Sequence, residues 1–338
     1  MMRILRAALI GMVIACAATA ELGKPEQLVQ RDQAVVGTFQ ALSSETEAKS
    51  VSEWQQLLSE VHAAGMEHMI IQWLQYDGEP IHYRQQLEDL LSACEKTPVE
   101  LIIGLSLSSA WWTEQSLTQT ALQQALSTNM QLASQLQSRL SQHPCFQGWY
   151  IPQEAEAIPL TRQQLANLLH YYTELSSQLK RLTPNKLVTM SGYKQTGTPE
   201  SFDAVQWWQH LLNQAAIDRL YFQDGYGVWR LSPLQSSQSL LYRLSKELDQ
   251  DRSKLWLVIE TFEQVNPAST QDKDFRAIPA QPQRLCLQIK QARSLGLPAV
   301  LYTYSDYLRS KSNSKAKPSN TNIQAVKICG QEDLQPKD

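Results

Sequence analysis

The chain has 338 residues, of which 43% are hydrophobic and 19% charged, and a formal net charge of -3. That is the composition of an ordinary globular protein with ample length to bury a core, and it excludes a disordered chain. The balanced charge gives no footprint for nucleic acid or an anionic membrane surface; the short basic run at Lys311, Lys315 and Lys317 reads as a solvated tail.

Residues 1–20 read as a secretory signal. Arg3 and Arg6 form a positive start, residues 7–16 are apolar, and Ala18-Thr19-Ala20 fits a small-x-small cleavage site before Glu21. The apolar run is too short for a comfortable membrane span. The mature protein is therefore expected in the periplasm or outside the cell, with no transmembrane anchor. Cys16, preceded by Val13-Ile14-Ala15, loosely resembles a lipoprotein box, and a lipid anchor there is the minor expectation. Cys94, Cys145, Cys286 and Cys329 remain after cleavage, scattered and without metal-ligand spacing. Export permits disulfides, but the sequence does not choose among three full pairings or buried free thiols.

After a polar lead, residues 34–39 (AVVGTF) read as a strand. Residues 51–64 are helical by period, with Val51, Trp54, Leu57, Leu58 and Val61 on one face and Gly65 as the stop. Strand 68–74 follows, then helix 83–94 and strand 99–107, whose nearly continuous apolar run fits burial on both faces. Helix 117–140 leads to strand 146–151. Helix 160–182, with Thr161 as its N-cap, leads to strand 186–192. Helix 202–215 carries Trp207 and Trp208 and precedes strand 217–222. Helix 234–248 precedes strand 255–261. Helix 282–295, ended by Gly296, precedes the last strand, 299–304.

Eight strands alternating with about seven helices indicate an α/β fold with a parallel sheet. No glycine fingerprint follows the first strand, so a closed (β/α)8 TIM barrel is favoured over an open nucleotide-binding sheet. It fills residues 21–309 as a single domain, followed by a polar tail at 310–338.

The active site of such a barrel lies at the C-terminal ends of its strands. Two apolar strands end there in carboxylates: GWYIPQE delivers Glu154, and LWLVIE delivers Glu260. One glutamate after a strand is most often a solvated loop residue, but two such strand ends are less readily chance. Glu156 and Glu263, further out, read as rim residues. The other strand ends supply amides and aromatics: Gln72 and Trp73, Trp111 and Trp112, Gln153, Tyr193, Gln223, Asp224, Tyr226 and Tyr304. Flat aromatic rings fit sugar faces, and amides fit sugar hydroxyls. Each has a plain alternative: one of Trp111 and Trp112 packs into the wall, and Asp224-Gly225 is a turn signal. Trp207 and Trp208 read as interhelix packing. The histidines have no ligand spacing, and Ser191 lacks a GxSxG elbow. No metal and no cofactor is expected. The carboxyl pair fits glycoside hydrolysis, with one group protonated as general acid.

Taken together, GTFQ, MIIQW, GWYIPQE, SGY, QDGYG and VIETFE resemble, in this order, a bacterial family of secreted barrels called domain of unknown function 4434. The resemblance covers roughly residues 35–304. It implies a TIM barrel acting on a polysaccharide. More distantly, acids after strands four and seven resemble the large clan of retaining glycosidases. By that likeness Glu154 is acid/base and Glu260 nucleophile, with Gln153 where the clan has Asn. The expectation is a secreted or periplasmic glycoside hydrolase acting on a polysaccharide such as a bacterial exopolysaccharide. The competing expectation is a non-catalytic glycan-binding barrel serving polysaccharide export or processing.

Overall fold

Eight strands close into one barrel: β1 (Val35–Gln40), β2 (His68–Ile71), β3 (Glu100–Gly104), β4 (Phe146–Glu156), β5 (Leu187–Tyr193), β6 (Arg219–Gln223), β7 (Leu255–Glu260) and β8 (Ala299–Tyr302). The computed structural model describes residues 34–42, 49–77, 84–194, 199, 201–229, 237–265, 276–309, 326 and 329. The leader expected at 1–20, with Cys16, and most of the tail expected at 310–338 lie outside the described residues.

The strands pair in parallel in the order β1-β8-β7-β6-β5-β4-β3-β2, and β2 returns to β1. Val35 pairs with Ala299 on one side, and Gly37 with His68 on the other. The helices are α1 (Val51–Ala63), α2 (Arg84–Cys94), α3 (Gln119–Leu140), α4 (Arg162–Leu182), α5 (Ala204–Gln214), α6 (Ser237–Glu247) and α7 (Pro282–Leu295). Their starts are chemically marked. Ser50 with Glu53, and Thr161 with Gln164, form capping boxes, and Asp203 caps α5. Gly296 ends α7 at φ 64°, a backbone state in which a side chain would be strained.

The core has two layers. Inside the barrel, Val36, Phe39, Ile70, Ile102, Tyr150, Tyr221, Trp256, Val258 and Val300 pack together. The outer layer lies between strands and helices and includes Trp54, Trp149 and Trp208, all fully buried. Trp207 joins Trp208 there, edge to face at 4.7 Å. Burying one such large side chain stabilises the fold by about 2–3 kcal/mol.

Several boundaries differ from the sequence expectation. β2 stops at Ile71, and the chain then forms a short parallel pair, Gln75–Tyr76 with Ser106–Leu107. β4 runs on to Glu156, so Glu154 sits in the strand, not beyond it. β8 stops at Tyr302 because Thr303 caps the helix Tyr304–Tyr307: its Oγ1 accepts the Asp306 N–H at 3.2 Å.

Two disulfides resolve the cysteine pairing: Cys94–Cys145 and Cys286–Cys329. They close separations of 51 and 43 residues, and constraining the unfolded chain over such spans is worth about 4 kcal/mol each in the chain-entropy account. The second ties Cys329, in the expected tail, to α7; Cys329 and Val326 are buried. Among the described residues no helix is long and apolar enough to cross a membrane.

Candidate active site

A cavity of about 440 Å³ opens where strand ends β2, β4, β6, β7 and β8 converge. Side-chain alternation explains who reaches it. Along β4, Tyr150, Pro152 and Glu154 face inward, while Trp149, Ile151 and Ala155 join the outer core. Glu154 and Glu260 both line the cavity, with Gln72, Trp73, Trp112 and Gln223. Around them stand Phe39, Tyr76, Ser191, Val228, Phe262 and Tyr302.

Glu154 is held by neutral side chains. Ser191 donates its hydroxyl to Oε1 at 3.3 Å, and Gln223 also hydrogen-bonds the carboxyl. Ser191 in turn lies 2.7 Å from the Tyr150 hydroxyl. Burial outweighs these bonds and pushes the Glu154 carboxyl up to about 7. Near neutral pH it holds a proton for much of the time.

Glu260 is held by main-chain groups. Its Oε2 accepts the N–H of Gly227 at 2.6 Å and of Val228 at 3.1 Å. Among the described residues its Oε1 accepts no hydrogen bond and is left for a ligand. Gly227 is required here, since a Cβ would come within 2.5 Å of the Phe262 carbonyl and 3.0 Å of Glu260 Oε2. Burial, and then the nearby Asp224 charge, hold Glu260 above the usual carboxylate range, while the two N–H bonds oppose them. Arg284 reaches over from α7 and donates to the carbonyls of Glu260, at 3.1 Å, and Phe262.

Asp224 lies behind Glu260, buried and outside the cavity. Its Oδ1 accepts the N–H of Tyr226 at 3.3 Å and of Glu260 at 3.4 Å; its Oδ2 accepts Gln288 Nε2 at 2.5 Å. Burial raises it as well.

Other residues expected at the site sit elsewhere. Gln153 points outward and is buried between β4 and the helices. Trp111 packs at the wall, 6.0 Å from the Tyr171 ring, and gives its Nε1–H to the Glu154 carbonyl at 3.0 Å. Tyr193 donates to Glu156 at 3.4 Å. Tyr226 is buried and donates to Gln291 at 3.1 Å. Tyr304 is buried in the outer core. The parity of β4 turns Gln153 out, and Tyr226 and Tyr304 each begin a short helix.

On β8 it is Tyr302, not Tyr304, that lines the cavity. Its hydroxyl accepts Gln72 Nε2 at 2.7 Å, tying the β2 and β8 ends together at the cavity. Thr303-x-x-Asp306 is a readable capping signal that would have placed it, by ending the strand at Tyr302. Trp112, 51% exposed, and Tyr76, 39% exposed, stand at the rim, and Tyr76 lies 5.7 Å from the Trp73 ring.

A closed barrel of eight parallel strands with helices outside it is a TIM barrel. Residues 35–316 match the family described as Domain of unknown function (DUF4434), and the chain belongs to that family. Uncharacterized protein YbcH of Escherichia coli (strain K12) is 26% identical over 200 residues, 56% of this chain and 64% of that protein. The match thus spans a little under two-thirds of that relative. Among solved structures, a Bacteroides thetaiotaomicron protein provisionally described as an alpha-L-fucosidase superposes with TM-score 0.67 at 15% identity, covering 95% of this chain and 99% of that one. The endo-1,4-beta-mannanase of Rhizomucor miehei gives TM-score 0.55 at 12% identity, covering 88% and 94%. At these identities the likeness concerns the fold.

Proposed function

We propose that this protein is an exported glycoside hydrolase that cleaves a polysaccharide with retention of configuration. The single observation that carries the reading is that Glu154 and Glu260 line one cavity, one held by side-chain donors and the other by main-chain N–H groups. The solved glycosidases of this fold lend it support, and two disulfides fit an oxidising compartment.

Glu154, protonated through burial, gives its proton to the glycosidic oxygen as the bond to the anomeric carbon breaks. Glu260 Oε1 attacks that carbon from the opposite face, forming a covalent glycosyl-enzyme, while Gly227 and Val228 fix Oε2. The Glu154 carboxylate then takes a proton from water, whose oxygen displaces Glu260 and releases the sugar. Two inversions give net retention, and Glu154 is left protonated again. Trp112 and Tyr76 offer flat faces at the rim for further sugar units.

The test is release of new reducing ends from a panel of bacterial and plant polysaccharides by the mature protein and by Glu260→Gln. The reading expects release by the wild type alone. Binding of a glycan without release, weakened by Trp112→Ala but untouched by Glu260→Gln, would establish the non-catalytic binding barrel instead.

A further inference from the structure

Gln153 is the polar exception in an apolar row. Its outward neighbours on β4, Trp149, Ile151 and Ala155, sit in the outer core, and Gln153 is buried among them at 3% exposure. A buried amide must be hydrogen-bonded or it destabilises the fold. Here it is fully engaged. Its Nε2 donates to the Ser106 carbonyl at 2.6 Å, and its Oε1 accepts from the Tyr171 hydroxyl at 2.8 Å and Asn129 Nδ2 at 3.2 Å. Asn129, fully buried on α3, completes the bracket by accepting the Ser106 N–H at 2.9 Å.

The same stretch is irregular in its pairing. Ile151 pairs with Met190, and the next pair is Ala155 with Gly192, so four steps on β4 face two on β5. Such a bulge frees carbonyls from the ladder. Two of them are capped by side chains: Tyr172 donates to the Gln153 carbonyl at 2.9 Å, and Trp111 to the Glu154 carbonyl at 3.0 Å. The bulge therefore stands between groups supplied by α3, α4 and the turn carrying Trp111 and Trp112.

We propose that the Asn129–Gln153–Tyr171 cluster is a positioning device: it locks the β4 bulge so that Glu154 is aimed at the glycosidic oxygen, and Gln153 makes no contact with the sugar. This rests on the glycosidase reading above. A general acid must lie within hydrogen-bond reach of the oxygen it protonates, so a loosened bulge weakens acid catalysis before it weakens binding.

Gln153→Met, which keeps the length of the side chain, and Tyr171→Phe, which keeps the ring, are the variants. With aryl glycosides of poor leaving groups, kcat is expected to fall about 10- to 100-fold with KM changed less than about threefold. With a dinitrophenyl leaving group, which needs no proton in the first step, kcat/KM of both variants, which reports that step alone, is expected to stay within about threefold of wild type. Equal losses on both substrates, or a rise in KM alone, would overturn the proposal. The readout independent of turnover is titration of the Glu154 carboxyl by carbon NMR. The ionisable groups that face it are the phenols of Tyr150, Tyr172, Tyr193 and Tyr302 and, in the same cavity, the Glu260 carboxyl. The midpoint is expected to fall by about one unit in both folded variants as water reaches the loosened carboxyl. An unchanged midpoint in both counts against the positioning role, while absence of turnover by wild type on every glycoside counts against the glycosidase reading alone.

Discussion

Glu154 and Glu260 end two strands of one barrel and line one cavity, yet different groups hold them. Glu154 meets the Ser191 hydroxyl and the Gln223 amide, weak partners that leave burial in control. Glu260 meets two main-chain N–H groups through one oxygen, and main-chain donors cannot rotate away. Burial raises both carboxyls; the two N–H bonds oppose that rise at Glu260 and fix its Oε2, and among the described residues its Oε1 accepts no hydrogen bond. The difference lies in the partners, a hydroxyl and an amide against two main-chain N–H groups, and it suits an acid facing a fixed nucleophile.

The sharpest break in the comparison is Glu260→Gln. Loss of the nucleophile should lower kcat/KM at least about 10³-fold, with the melting temperature kept or raised; activity within tenfold of wild type would remove Glu260 from the chemistry. Glu154→Gln should cost about 10²–10⁴-fold on substrates with poor leaving groups, measured as initial rates of reducing-end release. Gly227→Ala follows, because the added methyl crowds both the Phe262 carbonyl and Glu260 Oε2. We expect about a 10²-fold loss of kcat, in line with the sensitivity of catalysis to small displacements.

Smaller and more diagnostic is Asp224→Asn. Asp224 raises Glu260, so removing its charge should lower the Glu260 pKa, and the ionised nucleophile should appear at lower pH. The limb of kcat/KM against pH that Glu260 sets should move down by about one unit, with the limb that Glu154 sets unmoved. The smallest effect is on stability. Burial raises Glu154, Asp224 and Glu260 above their unfolded values, so the folded protein binds more protons than the unfolded chain. Their contribution is full below the unfolded carboxylate range and is lost as pH rises through the folded values, to about 7 for Glu154. Melting temperature should decline between pH 5 and pH 8, and Glu154→Gln should flatten that decline.

The strands were legible because both faces of a parallel barrel strand are apolar, and turns and caps bracket each run. The same property hides direction. With apolar residues on both faces, nothing in GWYIPQE says whether Gln153 or Glu154 turns inward, and Gln153 turns out. The bulge in β4 depends on Asn129 and Tyr171, 24 and 18 residues away in sequence, so no local pattern reports it. Asp224-Gly225 reads as a turn and is one, with Gly225 at φ 71°. The turn also carries Gly227 and Val228 to Glu260, a tertiary consequence invisible in QDGYG. Tyr304 was misplaced by two residues, since Thr303 starts a helix where a strand was expected to continue.

The central claim is that Glu154 and Glu260 act as acid/base and nucleophile, and one experiment tests both roles together. Glu154→Gln is incubated with dinitrophenyl glycosides of a hydrolysed glycan's sugar and analysed by mass spectrometry. The first step needs no acid and the second lacks its base, so a glycosyl-enzyme should accumulate. Peptide mapping should place the sugar on Glu260. An adduct on another residue, or turnover of poor-leaving-group substrates at the wild-type rate without an adduct, would contradict the account.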